Sequence, residues 1–503
     1  MSQNTLSPSI TIKTFSVGLA ALGLMACSSD DESGTGMIKF YNASPNSPAV
    51  FMTIDDDLNS SDTDDVEITV SGIRYGSVTG SVELDNGEYF IELAWQDSDS
   101  YDRDDLVVIY EDTVKAQTDS TTLVVLSEDI ETPRVFMYNI PVLSEEEQED
   151  DNDNDLFNLR LLNMASESEI PSVDVYISKS NETFNEAELI TTVDYSDLSA
   201  NLKLSQDDYT IYLTEAGQNS VLFTSEELSY SSATQYLLSI RNNQGAGESP
   251  FVLDWMANSS IVYQYNDKNA QSQFKIYNGI ETHEQLPNYQ TNIDVSLTGL
   301  KEKFDLTQLP YGGMSTTMTA PNGDYSVDIV STEQQSQLQT NHLLTLPENI
   351  KRTLFLYLEE VAVDEDNDGN VDEDGDGIID ETEVHIRSLQ VTNSLRDSIY
   401  DHQITAVNLI DNDDFNSITL YYVRSDEVIE TAEYSQYTTF GSERTLTLLN
   451  NTYTVYAVAR EGSSEVILAT DTLTLDEESG ELMVVLDEND NSSSGYAMTF
   501  MQQ

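Results

Sequence analysis

One cysteine, Cys27, stands in 503 residues, so no disulfide can form within the chain and stability has to come from apolar cores or bound metal. Bases are scarce too: 21 Lys and Arg face 91 Asp and Glu, a formal net charge of -70. Such a field repels phosphates and draws cations, which excludes nucleic acid as a partner. It also suits solubility in salty surroundings, where acidic surfaces stay hydrated. The four histidines, His283, His342, His385 and His402, lack the paired spacing of a catalytic zinc site. Gly-x-Ser-x-Gly elbows and phosphate-cradling glycine loops are missing. Paired carboxylates for glycoside hydrolysis stay open, because 91 acids form many pairs whose separation sequence hides. The two tryptophans, Trp95 and Trp255, sit in or beside predicted strands, where packing is the simpler use than a sugar site.

Cys27 ends the run Leu24-Met25-Ala26-Cys27, after an apolar stretch (Thr14 to Ala26) too short to span a bilayer. This resembles the lipobox of bacterial lipoproteins, which implies a signal peptide over 1–26, cleavage before Cys27, and diacylglycerol and palmitate on its thiol and amine. Cys27 is thus a lipidation site, the partner there is the membrane, and a nucleophilic role for the thiol is excluded. Ser28 follows, where aspartate would resemble an inner-membrane retention signal, so the outer membrane is expected. Ser28 to Gly36 is a polar tether.

The remaining length exceeds what one core supports, so several domains are expected. An internal repeat organises them. Five-residue strand ends closing on asparagine occur at Ile38 to Asn42, Leu159 to Asn163, Phe274 to Asn278 and Ile404 to Asn408. About fifty residues later a six-residue turn ends in tyrosine, at Tyr89, Tyr209, Tyr325 and Tyr453, and apolar residues then alternate with the period of a half-buried strand. Turn plus tyrosine resembles the tyrosine corner of immunoglobulin-like sandwiches, a structural role in which the phenol bonds back to nearby backbone. A second aromatic recurs upstream at Tyr75, Tyr195, Tyr311 and Phe440 and is read as a packing residue.

Short strands at regular spacing with no long helical period predict an all-β chain of four tandem immunoglobulin-like β-sandwich domains, each of seven or eight strands. Their expected bounds are 37–143, 157–265, 273–394 and 402–503, with an acidic, self-repelling linker over 144–156. The first unit, with Asn42-Ala43-Ser44-Pro45 and Pro48-Ala49-Val50, resembles a bacterial extracytoplasmic domain family of unknown function. Asn163-Met164-Ala165-Ser166 is a diluted copy. The resemblance implies tandem sandwiches on secreted or lipid-anchored proteins and supplies no catalytic residue.

Residues 364–383 carry the sharpest chemistry. Asp372, Asp374 and Asp376 alternate, Gly377 provides a turn, Ile378 a carbonyl, Asp380 a water-mediated ligand and Glu383 the twelfth position. Calcium takes six or more hard oxygens, and this spacing wraps them around one ion. Asp364, Asp366 and Asp368 begin an upstream half loop whose twelfth position is Gly375. Strand-like flanks make this a calcium loop on a hairpin, similar to the aspartate-rich loops of thrombospondin-type repeats, with a structural role for the ion.

Together these features point to an outer-membrane lipoprotein acting as a non-catalytic binding, adhesion or structural module toward a protein or glycan partner. A periplasm-facing accessory of an assembly or transport complex is the alternative, and a carbohydrate-active or carbohydrate-binding protein is a third class.

Overall fold

In a computed structural model of the chain, the residues described are 34–56, 67–96, 106–143, 156–166, 170–257, 259–364, 371, 381–412, 415, 417–489 and 492–503. Among them the chain is all-β: 36 strands, two single-turn 3-10 helices, and eight sheets of four or five strands. No helix among the described residues is long and apolar enough to cross a membrane. Short pieces such as Ser77–Val78 and Gly313–Met314 raise the strand number of the first three sheet pairs above the seven or eight expected.

The sheets face one another in pairs, and four large hydrophobic clusters fill the spaces between them. In each pair the inner sheet is built on an opening strand: Thr35–Ala43, Leu156–Asn163, Ser272–Gly279 and Asp401–Asn408. Each opening strand lies parallel to a strand about 80 residues later: Ser120–Ser127, Gln235–Asn242, Lys351–Ala362 and Leu482–Glu488. A parallel neighbour requires a crossover, and here the intervening chain supplies it by passing through the outer sheet.

The parallel partners explain a pattern that simple alternation does not. Leu123 to Leu126, Leu354 to Leu358 and Met483 to Leu486 are buried without interruption. Alternate residues serve different cores: Val124 and Leu126 fill the first sheet pair, while Leu123 and Val125 belong to a fifth cluster that also holds Leu162, Met164 and Met256 of the second pair. In the same way Leu354, Leu356 and Leu358 face the third core, and Phe355 and Tyr357 meet Val407, Met483 and Val485 of the fourth pair. The inner sheets are therefore covered on both faces, which is why they read as continuous apolar runs.

The repeated asparagine ends each opening strand in the same way. Asn42, Asn163, Asn278 and Asn408 are at most 1% exposed. Each Oδ1 accepts the N–H two residues on, from Ser44, Ala165, Ile280 and Ile410, at 3.0 to 3.1 Å. Each backbone carbonyl accepts the N–H of the residue after the second aromatic, Gly76, Ser196, Gly312 or Gly441, at 2.7 to 2.8 Å. Those four residues have φ between 63° and 70°, a region that glycine enters at least cost. The asparagine thus fixes where the aromatic side chain before each of them emerges.

Asn278 also donates to the carbonyls of Thr291 and Leu309. Alanine there would orphan several buried groups at about 1–3 kcal/mol each. Asn278→Ala is expected to lower the urea unfolding free energy by roughly 3 kcal/mol, and a loss below about 1 kcal/mol would contradict this role.

Candidate functional site

The turn tyrosines have a uniform role. The hydroxyls of Tyr89, Tyr209, Tyr325 and Tyr453 donate to the carbonyls of Asp85, Ser205, Pro321 and Leu449, four residues back, at 2.7 to 3.0 Å. Each bond closes the turn in front of its strand, and the buried rings join the cores.

The second aromatics do something the sequence reading missed: all four point across to the neighbouring sheet pair. Tyr75 donates to the carbonyl of Asn242 at 2.9 Å, and Tyr195 reaches back to Ser127 and Glu128, both at 3.1 Å. Tyr311 donates to Asp487 Oδ1 (3.0 Å) and to the Glu488 carbonyl (2.8 Å). Phe440 meets Tyr357 edge-on at 5.3 Å. First and second pairs therefore dock reciprocally, as do third and fourth. The signal available in sequence was the unbroken apolar run in three of the four parallel partners, Leu123 to Leu126, Leu354 to Leu358 and Met483 to Leu486.

A buried aspartate sits at the centre of each interface. In the first, Tyr41 Oη donates to Asp254 Oδ2 at 2.7 Å, Arg241 Nε meets the same oxygen at 2.5 Å, and the guanidinium lies 4.5 Å over the Tyr75 ring. Asp254 and Tyr41 are fully buried. In the second, Tyr277, at the repeat position of Tyr41, donates to Asp487 Oδ2 at 2.8 Å, and Tyr311, at the position of Tyr75, takes the other oxygen. Among the described residues no arginine pairs with Asp487. Burial pushes its carboxyl up to about 7, while the two phenols pull the other way. Glu488 beside it is pushed up to about 8, first by burial and then by the charge and hydrogen bond of Glu281, with Asp487 and Asp411 adding repulsion.

This acidic group adjoins the hairpin that carries the expected calcium loop. Strands Lys351–Ala362 and Thr382–Thr392 pair from Arg352 opposite Thr392 to Ala362 opposite Thr382, and Val363 N–H donates to the Glu381 carbonyl at 2.9 Å. Gln285 grips the outer arm through the Thr382 carbonyl and Val384 N–H, and Asp411 accepts Glu360 N–H at 2.8 Å. A cavity of about 150 Å³ at this base is lined by Glu281, His283, Glu360, Thr382 and Asp411 among others. His283 Nε2 is 4.0 Å from Glu360.

Of the expected ligands, Asp364 and Glu383 lie at the two ends of the loop. Glu383 is in strand Thr382–Thr392 opposite Val361, exposed, and 3.7 Å from His385. Asp366, Asp368, Asp372, Asp374, Asp376, Ile378 and Asp380 are outside the described residues, as are Cys27 and most of the 144–156 linker. The closed base suits a chelating loop, because the cost of bringing its ends together is met by the hairpin. Among the described residues no group of three His, Cys, Asp or Glu side chains is arranged to hold a metal.

Trp95 stacks on Tyr400 at 3.8 Å, and Trp255 stacks on Tyr263 at 4.8 Å. Ile399 and Tyr400, in the segment leading into the fourth pair, pack against the first core, and Arg74 of the first pair lies 3.6 Å from Asp401. Asn349, with φ 61°, joins the second pair to the third by bonding Asn243, Gly247 and Asn266 at 2.8 to 3.1 Å.

No family model matches the chain, and no curated protein matches it. Solved structures that align with it include the TIE protein of Bacillus anthracis, at 10% identity and a TM-score of 0.14 over 92% of this chain and 75% of that one. Another is the FN1-FN3 region of chicken CNTN1, at 9% identity and a TM-score of 0.13 over 60% of this chain and 91% of that one. Scores this low carry no argument about fold or function.

The raised acids give the second interface a pH dependence. Glu488 is neutral when folded up to about pH 8, whereas its ordinary value is 4.5. The stability its neutral form contributes is complete below about pH 4.5 and is lost as pH rises through about 8. Glu488→Gln should match the parent in Tm near the lower limit and exceed it by roughly 2–4 °C above the upper one. A pH-independent difference in thermal scans would refute the assignment.

Proposed function

We propose that the chain is an outer-membrane lipoprotein anchored through Cys27, and that its sheet pairs are four immunoglobulin-like β-sandwich domains with bounds near 37–143, 157–265, 273–394 and 402–503. In this reading it is a non-catalytic adhesion or interaction module for a protein or glycan, with calcium held at the 364–383 loop. The all-β architecture of packed sheets supports the domain reading, and the four turn tyrosines bonded four residues back support the immunoglobulin-like comparison.

The observation that carries the non-catalytic reading is where the buried polar groups are used. Tyr41 bonds Asp254, itself paired with Arg241 of its own sheet, and Tyr277 and Tyr311 bond Asp487, so these buried groups are spent on sheet-pair interfaces. Such groups hold rigid bodies in register, and a rigid, multiply docked array suits presenting a surface at a distance from a membrane. Residues Asp372, Asp374, Asp376, Ile378, Asp380 and Glu383, with Asp364, Asp366 and Asp368, supply the oxygen donors that calcium prefers.

Protease shaving of intact cells in calcium-containing medium, with a periplasmic control protein, tests the placement. Loss of residues 273–503 with the control intact is expected; full protection would instead place the array inside the periplasm. Cys27→Ser should move the protein to the soluble fraction, and continued membrane association would disprove the lipid anchor.

Calcium titration calorimetry on the whole chain is expected to show binding in the range of extracellular modules, about 10⁻⁴ to 10⁻³ M. Glu383→Gln should weaken it by at least about tenfold, and unchanged binding would remove Glu383 from the site.

A further inference from the structure

The interface between the first and second sheet pairs is closed at the Tyr41–Asp254 bond and opens toward the start of strand Thr35–Ala43. There the two inner sheets part to leave a cavity of about 200 Å³. Its walls include Leu123, Ile140, Leu237 and Met256, and two of its lining residues are cations, Lys39 and Arg160. None of the fourteen lining residues is acidic, although acids outnumber bases by 91 to 21 in the chain.

Neither cation is neutralised by a carboxylate among the described residues. Lys39 is only 5% exposed, and its ammonium donates to the carbonyls of Ala257 and Ser259. Arg160 gives one long bond, Nη1 to the Ser199 carbonyl at 3.3 Å, and its Nε is buried with no partner. Arg241 by contrast pairs with Asp254, and Arg396 with Asp401 and Glu481, while Arg352 resembles Arg160 in a buried, unpartnered Nε but makes three bonds to uncharged oxygens. Two cations against an apolar wall with no carboxylate partner among the described residues are costly unless an anion visits them.

The interface between the third and fourth pairs is an internal control. By repeat position Lys275 corresponds to Lys39 and Thr405 to Arg160. Lys275 donates to the Gln502 carbonyl at 3.1 Å, the counterpart of the bond from Lys39 to Ala257. Beside it the buried Gln503 side chain donates to Thr405 Oγ1 and to the carbonyls of Gln403 and Leu482. The protein itself thus satisfies that position with uncharged groups, and Lys351 beside Lys275 is taken up by the Gln503 carbonyl at 2.7 Å. The first interface places a guanidinium there and leaves space in front of it.

We propose that the cavity is a binding site for a small anionic amphiphile, a carboxylate on a short acyl chain, with the head group between Lys39 and Arg160 and the tail along Leu123, Ile140, Leu237 and Met256. The volume lies below the range of about 300–1,000 Å³ typical of drug-sized ligands, which favours a short chain over a peptide. The chain's overall negative charge opposes any anion, but at physiological salt that field is screened within about 8 Å, so the cations lining the cavity dominate locally. Burial lowers the Lys39 ammonium to about 8, so the site is fully charged at neutral pH and loses half its charge above that value.

The test is calorimetry of the full chain with octanoate and, separately, 1-octanol as probes, for the parent, Arg160→Gln and Lys39→Met. Trp255 offers a second readout, since it packs 5.4 Å from the lining residue Tyr236. Octanoate is expected to bind one to one, octanol at least about tenfold more weakly, and each substitution should cost octanoate at least about tenfold while leaving octanol unchanged. Octanoate affinity should also fall as pH rises through about 8. Arg160→Gln keeps the proposal testable if Lys39→Met disturbs docking, because Arg160 makes only the one long bond. Absent octanoate binding, equal affinity for octanol, or an Arg160→Gln protein that binds octanoate as the parent does would each overturn it.

Discussion

Burial of the inner sheets on both faces is the constraint from which the rest of this structure follows. A sheet covered on one side can end each strand in polar residues, but one covered on two sides has no wet face for them. Leu354 to Leu358 must therefore be apolar throughout, and whatever polar group remains in the interface has to find a partner there. The asparagine at the end of each opening strand solves the local form of this problem. It satisfies the backbone where the strand leaves the sheet and sets the turn that aims an aromatic residue at the neighbouring pair.

The two interfaces reach the same geometry with different chemistry. At the first, a carboxylate is balanced by a guanidinium and a phenol, and the guanidinium adds a contact to the Tyr75 ring. At the second, two phenols share one carboxylate, and burial, with Glu281 adding repulsion, raises its pKa toward the neutral form. The second interface is therefore the one that responds to pH. The second also adjoins the base of the 364–383 hairpin through Glu281 and Asp411.

Much of the local grammar was legible. Strand periodicity, turn residues and the repeated asparagine and tyrosine are properties of neighbouring residues, and backbone sterics convert them to structure without long-range help. The role of the second aromatic was not legible. Tyr75 or Tyr311 packing within its own unit and the same residue bonding across an interface leave the same mark in a sequence, a large side chain at a fixed spacing. Trp95 illustrates the point, because its stacking partner Tyr400 lies some three hundred residues away. The acids at the second interface were hidden for a different reason: among 91 carboxylates, the few with shifted protonation are distinguished only by burial.

What the sequence determined by itself is the all-β class, the repeat and the oxygen-rich spacing of residues 364–383, since each depends on residue type and interval along one chain. Tertiary structure alone decided which sheet faces dock, which aspartates become buried there, and where docking stays incomplete. Lys39 and Arg160 are 121 positions apart and belong to different repeats, so nothing in their local context marks them as lining one cavity. They converge because two apolar sheet faces close on each other at one end of the interface and part at the other.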